Sequence, residues 1–250
     1  MRASLHTDLR VSGPTIADPI TGLRYTLTPD AAWLVGQLLQ EGHIERLVPA
    51  IARLRQLPEA EARRALFALL AHLGEFGGVQ VSWDNTYSRG LRRQARWQWL
   101  TRQPASAWGF MRAMFRAYGG IFGPLQLGFV VAHLVLGTAF PLALTVLPAL
   151  LVASFGVHEL GHLSAARYLG VPVVLLARPG YLALLYKRPQ PRTAQFIACA
   201  GPLAALFACL IAAALCDSFF APAVLMALGT VHALSLLPLF ADGKTLWRST

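Results

Sequence analysis

Acidic side chains nearly disappear after residue 86. Residues 1 to 86 hold eight Arg and nine Asp or Glu, whereas residues 87 to 250 hold fourteen Lys or Arg and three acids, Glu159, Asp217 and Asp242. Only 14% of the chain is charged and 55% is hydrophobic, too apolar for an ordinary soluble protein and suited to several membrane spans. Cysteine is scarce as well. Cys199, Cys209 and Cys216 share one apolar segment without C-x-x-C spacing, which argues against a disulfide framework or a thiolate-bound metal and leaves them as small hydrophobes. Met1 to Thr28 has no apolar core of signal-peptide length, so the N-terminal part is expected to stay in the cytoplasm. That part also lacks a basic face, since only Arg63 and Arg64 cluster, which speaks against nucleic acid as a partner.

The N-terminal part, residues 1 to 86, reads as a compact α+β domain. Leu23 to Thr28 alternates like a half-buried strand, and Thr28-Pro29-Asp30 is a helix start with Thr28 as N-cap and Pro29 at the first position. Helices are expected to about Gly42, over His43 to Gln56 despite Pro49, and from about Pro58 to Gly77-Gly78. Val79 to Trp83 reads as a closing strand. Strand, three helices and strand make a winged-helix-like unit.

Residues 87 to 117 form a basic, aromatic linker. Arg89 to Arg116 contains seven Arg and no acid, with Trp97, Trp99, Trp108, Phe110 and Phe115 between them, and suits an anionic membrane surface. From residue 118 to 250 about four spans are expected: Gly119 to Leu136, Leu142 to Tyr168, Ala194 to Leu215 and Phe220 to Phe240. Lys and Arg are absent near 137 to 141 and 216 to 218. They are abundant before the first span, in Arg167 to Arg192 and in the tail. The positive-inside rule then puts both termini in the cytoplasm.

The second span carries His158-Glu159-Leu160-Gly161-His162. One helical turn separates the two imidazoles, so both can reach one metal ion, and Glu159 stands beside it as a general base. Ionisable groups inside a span are costly and seldom lack a task. A catalytic zinc usually takes three protein ligands and keeps a position open. Asp242 is the one further acid that the topology brings to the same cytoplasmic end, Asp217 being on the far side.

Two resemblances follow from these residues. Tyr25 to Val35 and the amphipathic helices after it resemble the peptide-chaperone domain of pyrroloquinoline-quinone biosynthesis, whose relatives recognise leader peptides of ribosomally made, modified peptides by adding the leader as a strand. His158-Glu159-Leu160-Gly161-His162, Ala200-Gly201-Pro202-Leu203, and Pro238 followed by Asp242-Gly243 resemble the site-2 protease family of intramembrane zinc metalloproteases, over about residues 120 to 247. This second resemblance implies one Zn²⁺ held by His158, His162 and Asp242, with Glu159 as general base and Gly201-Pro202 shaping the helix beside the site. It also implies a strand-rich loop over Val173 to Lys187 that holds substrate extended, with Val173, Val174 and Leu175 at its start. Two positions depart from the family. Residue 205 is Ala where the family often has Asn, and the Asn expected before Pro238 is replaced, His232 or Ser235 being nearest. His232 could supply the missing polar group beside the substrate, or serve as a hydrogen-bonded packing histidine. The PDZ or CBS domains of many relatives are not expected within these 250 residues.

The expectation is a multi-pass α-helical zinc metallopeptidase of the inner cell membrane, with a peptide or protein substrate, the lipid bilayer as its setting and no nucleic acid. Joining both resemblances suggests maturation of a ribosomally made precursor peptide. The alternatives are regulated intramembrane proteolysis of a membrane-tethered signalling protein and a non-catalytic membrane peptide-binding or immunity protein.

Overall fold

A computed structural model describes residues 2–41, 43–75, 77–82, 100–137, 139–187, 189–216 and 220–247. The chain divides into two compact units, Met1–Ala113 with Val174–Pro179, and Met114–Val173 with Gly180–Thr250.

The first unit opens with more sheet than the sequence pattern suggests. β1 (Arg2–Leu5) pairs antiparallel with β5 (Val79–Ser82), Leu5 opposite Val79. β2 (Arg10–Ser12), β3 (Thr15–Ala17) and β4 (Arg24–Thr26) form an antiparallel meander in the order β2-β3-β4. The three helices follow as expected: α1 (Pro29–Glu41), α2 (Ile44–Arg55) and α3 (Glu59–Glu75). Thr28 caps α1, its Oγ1 accepting from the Ala31 N–H at 3.3 Å. Pro49 sits inside a continuous α2. Ile16, Leu38, Ile44, Leu47, Leu66 and Leu70 pack into the core of this unit.

Part of the segment expected as a linker, residues 87–117, has regular structure; residues 83–99 lie outside the described residues. Thr101–Pro104 is strand β6, paired antiparallel with β7 (Val174–Arg178) so that Arg102 faces Leu176. Arg102 does not lie on a surface. It is buried, and its Nη2 donates to Asp18 Oδ2 at 2.7 Å. The Arg-rich pattern hid this, because the partner strand lies some seventy residues further along the chain.

Ser106 caps the next helix, its Oγ accepting from the Gly109 N–H. α4 (Ala107–Met114), a π turn (Phe115–Gly119) and α5 (Gly120–Leu136) run on as one helical stretch. It begins well before the expected Gly119. The second unit continues with α6 (Ala139–Tyr168), β8 (Tyr181–Leu185), α7 (Pro191–Ala214), α8 (Phe220–Leu234) and α9 (Ala241–Trp247). Among the described residues, three helices are long and apolar enough to cross a membrane: Ala107–Leu136, Leu144–Tyr168 and Pro191–Ala214. Large apolar side chains such as Val135, Phe207 and Ile211 stand exposed on them. The fourth expected span is shorter than predicted. α8 ends at Leu234 after 15 residues, and 235–240 turn back, with Pro238 unable to continue the helical hydrogen bonding.

Candidate metal centre

The crossing of α6 and α7 builds the site, and two glycines permit it. A Cβ on Gly161 would stand 2.6 Å from the Ala200 carbonyl oxygen and 2.9 Å from Gly201 Cα. A Cβ on Gly201 would meet the His162 ring, 2.3 Å from Nε2 and 2.5 Å from Cε1. Ordinary side chains at either position would push the helices apart. With glycine at both, His162 Nδ1 comes within 2.6 Å of the Ile197 carbonyl oxygen on α7. That oxygen can only accept, so His162 carries its hydrogen on Nδ1 and, as a neutral imidazole, turns the lone pair of Nε2 inward.

Asp242 arrives from α9. The turn over 235–240 folds so tightly that a Cβ on Gly243 would lie 1.8 Å from the Leu237 carbonyl oxygen, and the Gly243 N–H donates to the Ser235 carbonyl at 3.1 Å. This turn sets the Asp242 carboxylate against both histidines: Oδ2 is 3.2 Å from His158 Nε2 and Oδ1 is 3.4 Å from His162 Nε2. The two Nε2 atoms are 3.0 Å apart. Zinc bonds of roughly 2.0–2.2 Å in a tetrahedral site put neighbouring ligand atoms about 3.3 Å apart, so the spacing of these three side chains fits the ion. The chemistry of the donor set fits as well. Nitrogen lone pairs and anionic oxygens converge in a largely buried spot, where a proton could bridge one pair and a divalent metal would satisfy all three residues.

Glu159, on the same helical turn, lines a cavity of about 310 Å³ together with the three candidate ligands. β8 makes another wall. Tyr181, Leu182, Ala183 and Leu184 all border the cavity in succession. Neighbouring side chains of a strand point to opposite faces, so a run of four reaches one cavity only when the strand presents its edge. The start of β8 is held by the Gly180 N–H, which donates to Ala117 O in the π turn at 2.7 Å, with Gly180 at φ +73 where L side chains are strained. Tyr186 adds a phenol to the wall, pushed up from its usual pKa by burial and by the charge of Asp242.

Several residues fall elsewhere than the sequence suggested. Val173, Val174 and Leu175 are buried and do not line the cavity; Val174 and Leu175 lie on β7 opposite Pro104 and Gln103 of β6. The wall comes from β8 instead, six residues further on. Gly201 and Pro202 are buried and do not line the cavity either. Gly201 makes room for the His162 ring. Pro202 has no N–H for the carbonyl of Ala198, four residues earlier, and Ala198 does line the cavity. His232 is buried and does not line the cavity; its Nδ1 lies 3.0 Å from His158 Nδ1. Ala205 is fully buried. The β8 edge and Tyr186 fall within the strand-rich loop expected over Val173 to Lys187, but the sequence singled out the start of that loop rather than Tyr181 to Tyr186.

Comparison of the chain with protein-family models, curated proteins and solved structures finds no match.

Proposed function

We propose that this chain is a membrane-embedded zinc metallopeptidase of site-2 protease type. The observation that carries the reading is the convergence of His158 Nε2, His162 Nε2 and the Asp242 carboxylate, with Glu159 beside them in a cavity bordered by a strand edge. His158, His162 and Asp242 would hold the zinc, whose Lewis acidity polarises a peptide carbonyl and acidifies water. Glu159 takes the proton of the attacking water and passes it to the leaving amine. β8 ends the strand order β6-β7-β8 and borders the cavity, a place where a peptide can be held extended, exposing an amide bond that a helix would hide. The surrounding helices keep bulk water away. With the basic segments on one side, both termini face the cytoplasm of a cell membrane.

In the same proposal the first unit recognises a leader, and the substrate is a ribosomally made precursor peptide. The meander β2-β3-β4 ahead of three helices supports this, because β2 and β4 each end a sheet and can accept a further strand.

The test is a substrate trap: full-length Glu159→Gln protein purified from native membranes, its bound peptides identified by mass spectrometry. A short precursor that also slows hydrogen exchange at Arg24–Thr26 or Arg10–Ser12 supports peptide maturation. A captured single-span membrane protein moves the assignment to regulated intramembrane proteolysis. Absence of both zinc and hydrolysis in the wild type favours a non-catalytic peptide-binding or immunity protein.

A further inference from the structure

We infer that His232 is a positioning residue for the metal centre, which fixes the tautomer and ring orientation of His158; this rests on the metallopeptidase reading. His232 lies on α8, 2% exposed, with its Nδ1 3.0 Å from His158 Nδ1. Of two ring nitrogens at that distance, one must donate and the other accept. His158 can offer a lone pair at Nε2, where Asp242 and His162 converge, only when its hydrogen sits on Nδ1. His232 therefore accepts at Nδ1 and carries its own hydrogen on Nε2.

The site is symmetric in this respect. His162 donates its Nδ1–H to the Ile197 carbonyl and His158 donates its Nδ1–H to His232, so both inward nitrogens are free for the metal. The carbonyl that serves His162 belongs to α7, which crosses α6 closely. The partner of His158 comes from a different helix, and a long side chain spans the gap. Phe155, one turn before Glu159, holds the His232 ring from the side, with centroids 5.3 Å apart and the planes at 77°. Outer partners of this kind orient the ligand ring and raise its basicity.

The test compares full-length wild type, His232→Met and His232→Gln in detergent. Methionine keeps volume without a strong acceptor, and glutamine returns a carbonyl oxygen. Zinc affinity, read by competition with a chromophoric chelator, is expected to fall about 10- to 100-fold in His232→Met and to recover to within a few-fold in His232→Gln. The visible spectrum of the Co²⁺-substituted protein should change with Met and return with Gln. Zinc-loaded wild type labelled with ¹⁵N-histidine should show a scalar coupling between the Nδ1 atoms of His158 and His232, which needs no variant to fold. Equal zinc affinity in His232→Met and wild type, or a hydrogen on His158 Nε2, overturns the inference and leaves the metal centre standing. A wild type that binds no zinc, with His232 untouched, overturns the reading on which it rests.

Discussion

Gly201→Ala adds one methyl group and should disable the site. Its Cβ would stand 2.3 Å from His162 Nε2 and 2.6 Å from Cδ2, against 3.4 Å for ordinary contact. The ring must retreat by roughly 1 Å to regain van der Waals distance. It cannot retreat freely. Ile197, whose carbonyl holds Nδ1 at 2.6 Å, is on the same helix as Gly201, one turn earlier, so backing away from one stretches the bond to the other. Overpacking of this kind costs about 1–3 kcal/mol. If the strain is felt by the metal-bound arrangement, that is a loss of about 5- to 150-fold in zinc affinity, at about 1.4 kcal/mol per tenfold. Chelator competition on the purified full-length protein measures it. Gly128→Ala is the control, since a Cβ there meets nothing within 4 Å. Gly201→Ala protein that binds zinc as tightly as wild type would refute the reasoning, because the ring would then have another place to sit.

Glu159→Gln should keep zinc, measured by metal analysis, and lose hydrolysis, because Glu159 borders the cavity without joining the converging ligand atoms. Asp242→Ala should lose zinc itself, removing one of three ligands. Saturating zinc at 100 times its dissociation constant should stabilise the wild type by about 2.7 kcal/mol in thermal unfolding, and a chelator should remove that gain. In the first unit, Asp18→Asn leaves Arg102 buried without its carboxylate and should cost about 3–5 kcal/mol, read by denaturant unfolding. The same pair gives a pH dependence. Burial alone would raise the Asp18 carboxyl, but hydrogen bonds from Thr21 and Arg102 outweigh it and hold the pKa below the ordinary value. A lowered folded-state pKa means stability that is present above the unfolded value, about 3.9, and lost as pH falls through the folded one. The Asp18→Asn variant should not show that loss.

The three converging side chains were legible from simple rules of spacing and charge, whereas the residues that support them were less so. The four-residue spacing of His158 and His162 is a property of any helix, and Asp242 stood out because acids are so rare after residue 86. The α1 start at Thr28-Pro29 was equally local, a cap and a fixed φ. Strands of three or four residues, such as β2 and β3, are too short for alternation to register, and β6 could not be seen at all without Val174–Arg178 beside it. The same limit applies inside the site. His232 lies 74 residues from His158, and no periodicity connects them. Gly201 was singled out with Pro202 as shaping its helix, but that it makes room for the His162 ring shows only where the ring occupies the place of its missing Cβ. The three candidate ligands are therefore a small part of what makes the candidate centre. Gly161, Gly201 and Gly243 act by leaving space, and every one of them lets backbone or ring approach closer than a methyl group would allow. A transplanted H-E-x-x-H and Asp-Gly pair on helices crossing at ordinary distance should consequently bind zinc poorly, since His162 would lose its hold on the Ile197 carbonyl and with it the tautomer that faces the metal.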